Sequence, residues 1–453
     1  MRWRSSVRFV IRWIALVVAG WLTYGLLRGL SAIVWLGVPP FDWAWYAAAI
    51  PLLTALPLCL VWRPTSGRPA VSRRRRLLPY LAIGLLSGVV IASYNGFGQE
   101  IKLDLRCSRS MRVSFWSGLD FTRVPEAVLE DIRAAGGYIY FGAGGYYPLE
   151  GSRGQELAAS IRRLADYGIE VYIATPAGND FLSAPVASDW IRSTRSALDF
   201  ARREGLTNVR GVIGDAEPPL HSPSDLTGIH RAQFDQAVKD MRDLIDGAHR
   251  EHPDRRIGVT ATWGQYVDAL DGDSDLALIM RSPVNPPGGW DFVNLMTYSS
   301  YFPSDWRPYS VYLLESGMAR LHPERPISHL IGLVGSAMPG EPLLDPEDLV
   351  RDARLSRALG VREIVVFHLD GALPVFGEDF VRRFVAAVES PASGAALRVP
   401  FSRPASLLFY GLPVADALLD ARGSQGWLWL GWIVASGLIT MRMSFVPLWL
   451  RGY

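Results

Sequence analysis

Between residues 111 and 390 the chain alternates between two patterns. Short runs of β-branched and aromatic residues are separated by longer charged stretches whose apolar positions recur every three or four residues. The first pattern is that of strands buried on both faces, the second that of amphipathic helices. The strand runs are RVSFW from 112, YIYFGAG from 138, IEVYIATP from 169, VRGVIGDAE from 209, RIGVTATW from 256, DFVNLMTY from 291, ISHLIGL from 327 and REIVVFHLD from 362. Helical stretches such as PEAVLEDIRAAGG, GQELAASIRRLADYG, SDWIRSTRSALDFARREG and DPEDLVRDARLSRALG lie between them. Several close on a glycine just before the next strand, as a left-handed helix cap requires. This alternation predicts parallel strands joined by crossover helices. Eight units in about 280 residues match a (β/α)8 TIM barrel in number and length. A doubly wound sheet is the competing arrangement. It usually carries a Gly-rich phosphate loop after its first strand, where this chain reads WSGLDFT, and GAGGYY after the second strand lacks the spacing.

Outside this block the pattern is uniformly apolar. Ile11–Val38, Trp43–Val61, Leu77–Ala92 and Trp427–Leu448 are each near the roughly 20 residues a helix needs to cross a bilayer. They predict three transmembrane helices at the N-terminal end and one at the C-terminal end. Hydrophobic residues make up 49% of the 453 residues, and these four stretches hold the excess. Arginines 2, 4, 8 and 12, then 63, 68 and 73–76, then 442 and 451, all fall on one side by the positive-inside rule. The expected protein is multi-pass in the cell membrane, with cytoplasmic termini and residues from about Asn95 to Gln425 outside. Expected divisions are a membrane domain over 1–95, the barrel over 105–395, a linker or interfacial segment over 396–426 and the last span over 427–453. A net charge of +2 gives no support to a nucleic-acid partner. Cys59 and Cys107 make neither a disulfide framework nor a cysteine metal site.

Barrel active sites form where strands end, so polar residues that stop an apolar run carry the candidate chemistry. Asp215 and Glu217 end the fourth strand. Side chains two apart on a strand point the same way, roughly 6 to 7 Å apart. Like charges that close, beside apolar walls, raise the proton affinity of one of them. A carboxyl still protonated near neutral pH can donate to a leaving oxygen, while its ionised neighbour positions a nucleophile or stabilises a cation. The alternative is that Asp215 caps the next helix and Glu217 is solvated, although two prolines follow. Trp116, Tyr146, Tyr147, Trp263, Tyr266, Tyr298 and Tyr301 close or follow other strands, and such rings stack on sugar faces. DGDSD at 271–275 begins like a calcium loop but has Leu276 where glycine is needed, and no zinc spacing appears. No metal and no cofactor is expected.

DFVNLMTY, with Asp291, Asn294, Met296 and Tyr298, resembles the sixth-strand signature of glycoside hydrolase family 18, the chitinase-like barrels. The Asp-x-Glu end of strand four resembles the end of that family's longer acidic motif. The resemblance covers the barrel alone. It implies Glu217 as general acid, Asp215 orienting a substrate N-acetyl group whose carbonyl oxygen is the nucleophile, and Tyr298 holding that group. The substrate-binding set is expected to comprise Trp116, Tyr140, Trp263, Gln265, Asn294, Met296, His368 and Asp370. Where the family carries earlier acids this chain has Arg210 and Ile213, where an Asp often follows the tyrosine it has Ser299, and strand eight ends Phe367, His368, Leu369, Asp370. Asp370 is either a second carboxylate across the barrel or a turn cap. The expected function is a membrane-anchored glycoside hydrolase acting on an extracytoplasmic polysaccharide that contains N-acetylhexosamine. Its expected partners are the glycan, the lipid bilayer and other polysaccharide-synthesis or export membrane proteins. A non-catalytic glycan-binding or assembly module is the alternative. A transporter subunit is disfavoured because the spans contain few acidic groups.

Overall fold

The computed structural model describes residues 100–103, 111–175, 184–215, 231–262, 274, 277–278, 289–321, 327–332, 343–390, 397–400, 402 and 405. The four apolar stretches, Glu217, Trp263, Gln265 and Tyr266 lie outside these residues. Among the described residues no helix is long and apolar enough to cross a membrane. The chain divides into two compact units, Glu100–Ala405 and one that combines Met1–Gln99 with Ser406–Tyr453.

Eight parallel strands close into a barrel in sequence order. They are β1 (Arg112–Ser117), β2 (Gly136–Gly142), β3 (Glu170–Thr175), β4 (Val209–Asp215), β5 (Arg256–Thr262), β6 (Phe292–Met296), β7 (Ile327–Gly332) and β8 (Glu363–Phe367). Closure comes from β8 pairing with β1 over Arg112↔Glu363 to Phe115↔Val366. Helices among the described residues include α1 (Glu126–Ala135), α2 (Gly151–Asp166), α3 (Ala184–Arg203), α4 (Arg231–Glu251), α5 (Arg307–Leu321), α6 (Pro346–Ala358), α7 (Leu369–Phe376) and α8 (Phe380–Glu389). This is the TIM barrel that the alternating pattern predicts. The glycines expected to close helices, Gly136, Gly168, Gly205 and Gly360, all have positive φ. Gly136 at φ 67° both caps α1 and opens β2, so that strand starts two residues earlier than its apolar run. Asp345 caps α6 by accepting from the Asp348 amide at 2.7 Å, with Pro346 in the first turn.

The core has two layers. Leu, Ile, Val and Phe side chains fill the space between the barrel and its helices, including Leu129, Ile132, Leu157, Ile161, Leu244 and Leu349. A separate cluster inside the barrel joins Trp116, Tyr140, Tyr172, Ile213, Phe292, Met296, Leu330 and Val365. Glu100–Leu103 and Leu397–Pro400 form an antiparallel ribbon outside the barrel, from Glu100↔Pro400 to Leu103↔Leu397. The ribbon brings the entry and exit of the barrel unit side by side, and it reaches beyond both ends of the 105–395 barrel expected from sequence.

Candidate functional site

The barrel interior is stacked with aromatic rings. Trp116 lies 6.1 Å from Tyr140 at 12°, Tyr140 lies 5.4 Å from Tyr172 at 12°, and Tyr172 lies 4.6 Å from Phe292. Tyr140, expected at the substrate, is 1% exposed and sits inside this stack. Its hydroxyl donates to Glu363 at 3.0 Å, and the Ser114 hydroxyl donates to the same oxygen at 2.5 Å. Burial pushes the Glu363 carboxyl up, against the Ser114 hydrogen bond and Arg112, which pull it down. Burial chiefly, with Glu363 adding to it, also holds the Tyr140 phenol well above its ordinary range. Tyr140 is therefore two residues below the end of β2, buried in the ring stack against Trp116.

Asp215 is the last residue of β4 and half-buried. Strand register sets it beside Thr260, Thr260 beside Asn294, and Asn294 beside Ser328. Register partners on parallel strands face the same way, so these four form one polar row around the inner wall. Because the strands are staggered, the row descends from the rim at Asp215 to Ser328 near the start of β7. Ser328 donates to the Asn294 amide oxygen. Among the described residues Thr260 Oγ1 is buried without a hydrogen-bond partner. Asn294 thus belongs to the wall and Met296 to the interior cluster. Asp291 of the same motif faces the opposite end, where its carboxylate accepts from the Ile257 amide at 2.7 Å and lies 2.8 Å from His249 Nε2.

At the rim the rings continue in a line. Phe367, at the end of β8, lies 5.9 Å from Trp116 and 5.7 Å from Tyr298, and Tyr298 lies 6.3 Å from Tyr301. Trp116 is almost covered, whereas Tyr301 is 59% exposed. The sequence-predicted Trp116 and Tyr298 are therefore linked through Phe367. Tyr147 turns elsewhere and donates to the Ser193 carbonyl at 2.9 Å.

Asp370 is tied into the backbone at the end of β1. It accepts from Ser117 Oγ at 2.6 Å and from the Gly118 amide at 3.1 and 2.8 Å. It also stands in the first turn of α7, where a carboxylate offsets the helix dipole. Of its two readings, the geometry favours the structural latch. His368 Nδ1 accepts from the Gly371 amide at 3.0 Å, so the proton of the neutral ring is on Nε2, which is buried and has no partner among the described residues. Asp370→Ala is expected to destabilise the chain by about 1–3 kcal/mol, because the Ser117 hydroxyl and Gly118 amide lose their acceptor. A denaturant midpoint measured beside Ser117→Ala, which removes one donor only and should cost less, checks this.

No protein-family model matches the chain, and no curated protein matches it. Solved structures do. An endo-β-1,4-mannanase from Thermotoga petrophila is 13% identical with a TM-score of 0.42, over 65% of this chain and 78% of that one. The glycoside hydrolase domain of PgaB (BpsB) from Bordetella bronchiseptica is 12% identical with a TM-score of 0.40, over 61% and 99%. A family 1 β-glucosidase from Thermotoga maritima is 12% identical with a TM-score of 0.40, over 59% and 90%. The chain is similar to these proteins. The assignment of the fold rests on the strand register of the barrel itself.

Proposed function

We propose that the barrel is a divergent glycoside hydrolase that acts on a polysaccharide containing N-acetylhexosamine. The observation that carries the reading is the aromatic line Trp116–Phe367–Tyr298–Tyr301 at the rim where the strand-end carboxylate Asp215 stands. Sugar rings offer apolar faces to such a surface, and their hydroxyls need polar groups beside it. Glu217, two residues beyond Asp215, serves as general acid, and Asp215 and Tyr298 hold the acetamido group whose oxygen attacks the anomeric carbon. The chitinase-like sequence of β6 supports this route. Asp370 being bound to Ser117 and Gly118 disfavours a conventional scheme with a second carboxylate from β8. The apolar stretches at both ends of the sequence support a barrel anchored to a membrane on its extracytoplasmic side, working on glycan close to that surface.

One observation also favours a second reading, a glycan-binding or assembly module without turnover. Two positions of strand four that the chitinase-like motif fills with acids are Arg210 and Ile213, and Arg210 pairs with Glu170 while Ile213 is buried in the barrel. Incubating the full-length chain with N-acetylglucosamine pentamer and measuring new reducing ends separates the two, since binding without cleavage would sink the enzyme reading. Tyr301→Ala is expected to weaken pentamer binding about three- to tenfold, the loss of one stacked ring. Its stability should stay within about 0.5 kcal/mol, because the side chain is largely exposed. Titration calorimetry beside a thermal melt reads both.

A further inference from the structure

The turn after β6 carries Tyr298 and Tyr301 on either side of two buried serines, Ser299 and Ser300. Its anchor lies in α6. Ser299 Oγ donates to Asp352, which is itself buried. Arg351 donates to the other oxygen of Asp352 through Nε at 3.0 Å and Nη2 at 2.7 Å. The far end of the turn is held as well. Arg307 Nε donates to the Phe302 carbonyl at 3.1 Å, and its Nη1 donates to Asp348 at 2.6 Å. Arg351 also reaches Asp348, so two acids and two arginines grip both ends of the turn. Behind them Glu315 on α5 is buried, 3.1 Å from His329 Nδ1 on β7, and accepts from Ser356 at 2.6 Å. Among the described residues, Arg351, Arg307, Asp348, Glu315 and His329 are the charged groups of the network around Asp352.

A buried carboxylate of this kind contributes little net stability, because desolvation offsets its pairing. What a fully bonded network does provide is one defined geometry. We propose that Asp352 is a positioning residue: through Ser299 it sets where Tyr298 and Tyr301 stand at the rim, and so the shape of the surface offered to sugar. The choice of glycan as the ligand rests on the reading above; the anchoring of the turn does not. Burial pushes the Asp352 carboxyl up to about 6, with Arg351 and Ser299 opposing. The sign follows from linkage. A carboxyl raised by burial favours the folded chain while it is protonated, and that contribution is lost as pH rises through about 6, whereas the Ser299 bond itself favours the ionised form.

Amide hydrogen exchange on the full-length chain tests this without a ligand, and pentamer binding tests its consequence. Asp352→Ala should speed exchange across residues 298–302 by about tenfold or more, with β3 and β4 unchanged. Pentamer binding should weaken by about tenfold, and Asp352→Asn, which can still accept from Ser299, should recover most of both. Should Asp352→Ala fail to fold, Ser299→Ala removes the same bond and is read in the same way. Unchanged exchange in a folded variant overturns the anchor. Faster exchange with unchanged pentamer affinity overturns the positioning role. An unaltered chain that ignores the pentamer refutes the glycan reading, and exchange still decides the anchor.

Discussion

Replacing Glu217 by glutamine is expected to lower the hydrolysis rate of the full-length chain by about 10²- to 10⁴-fold, the ordinary contribution of one general acid. Glutamine keeps the size and the hydrogen-bonding oxygen but has no proton to give to a leaving group. Pentamer affinity should therefore hold while kcat falls, the signature of an interaction made only in the transition state. Asp215→Asn should behave differently. Asp215 shares a row with Thr260 and Asn294, so its side chain is part of the wall that would hold the acetamido group. Its loss should reduce kcat and weaken binding together, since orienting the substrate acts in both states. Initial rates and calorimetric affinities for the two variants, beside the unaltered chain, read this directly. If Glu217→Gln cleaves at the original rate, the acid is elsewhere and the reading of strand four is wrong.

The strands were legible because a parallel barrel strand is buried on both faces and reads as an apolar run. The helix ends were legible because only glycine takes the left-handed cap cheaply, and Gly136, Gly168, Gly205 and Gly360 all do so. Depth inside the barrel was not. Tyr140 looks like a rim aromatic in sequence, but Gly142 ends its strand, and the stagger of the barrel puts the tyrosine beside Glu363 at the start of β8. Asp352 was missed because an acid in a charged helix is normally exposed. Its spacing held the signal, since it falls on the stripe Leu349, Ala353 and Ser356 that α6 buries. Partners set 53 residues apart, such as Ser299 and Asp352, follow from helix packing against the barrel and leave no local trace.

Gly258→Val is expected to strain the barrel strongly. Gly258 is the register partner of Phe292, and a Cβ placed on it would stand 2.2 Å from the tip of that ring. The ring is flanked on three sides. Tyr172 lies 4.6 Å away, Tyr140 6.2 Å, and the Arg256 guanidinium sits over its face at 5.1 Å. Interiors packed this closely respond to added volume with strain of about 1–3 kcal/mol, and a branched side chain against a ring held on three sides belongs at or above the upper end. Against a typical stability of about 5–15 kcal/mol, that removes a large share. Gly145→Ala provides the contrast, because nothing lies within 4 Å of a Cβ there and its effect should stay within about 0.5 kcal/mol. Pairing Gly258→Ala with Phe292→Leu should recover part of the loss, and the coupling in a double-mutant cycle measures how much of it is steric. Since Asp215 borders Thr260 on β5, two residues beyond Gly258, the same strain should reach the candidate site. A Gly258→Val variant with unchanged melting would mean that the ring stack inside the barrel is looser than 4.6 Å between Tyr172 and Phe292 implies.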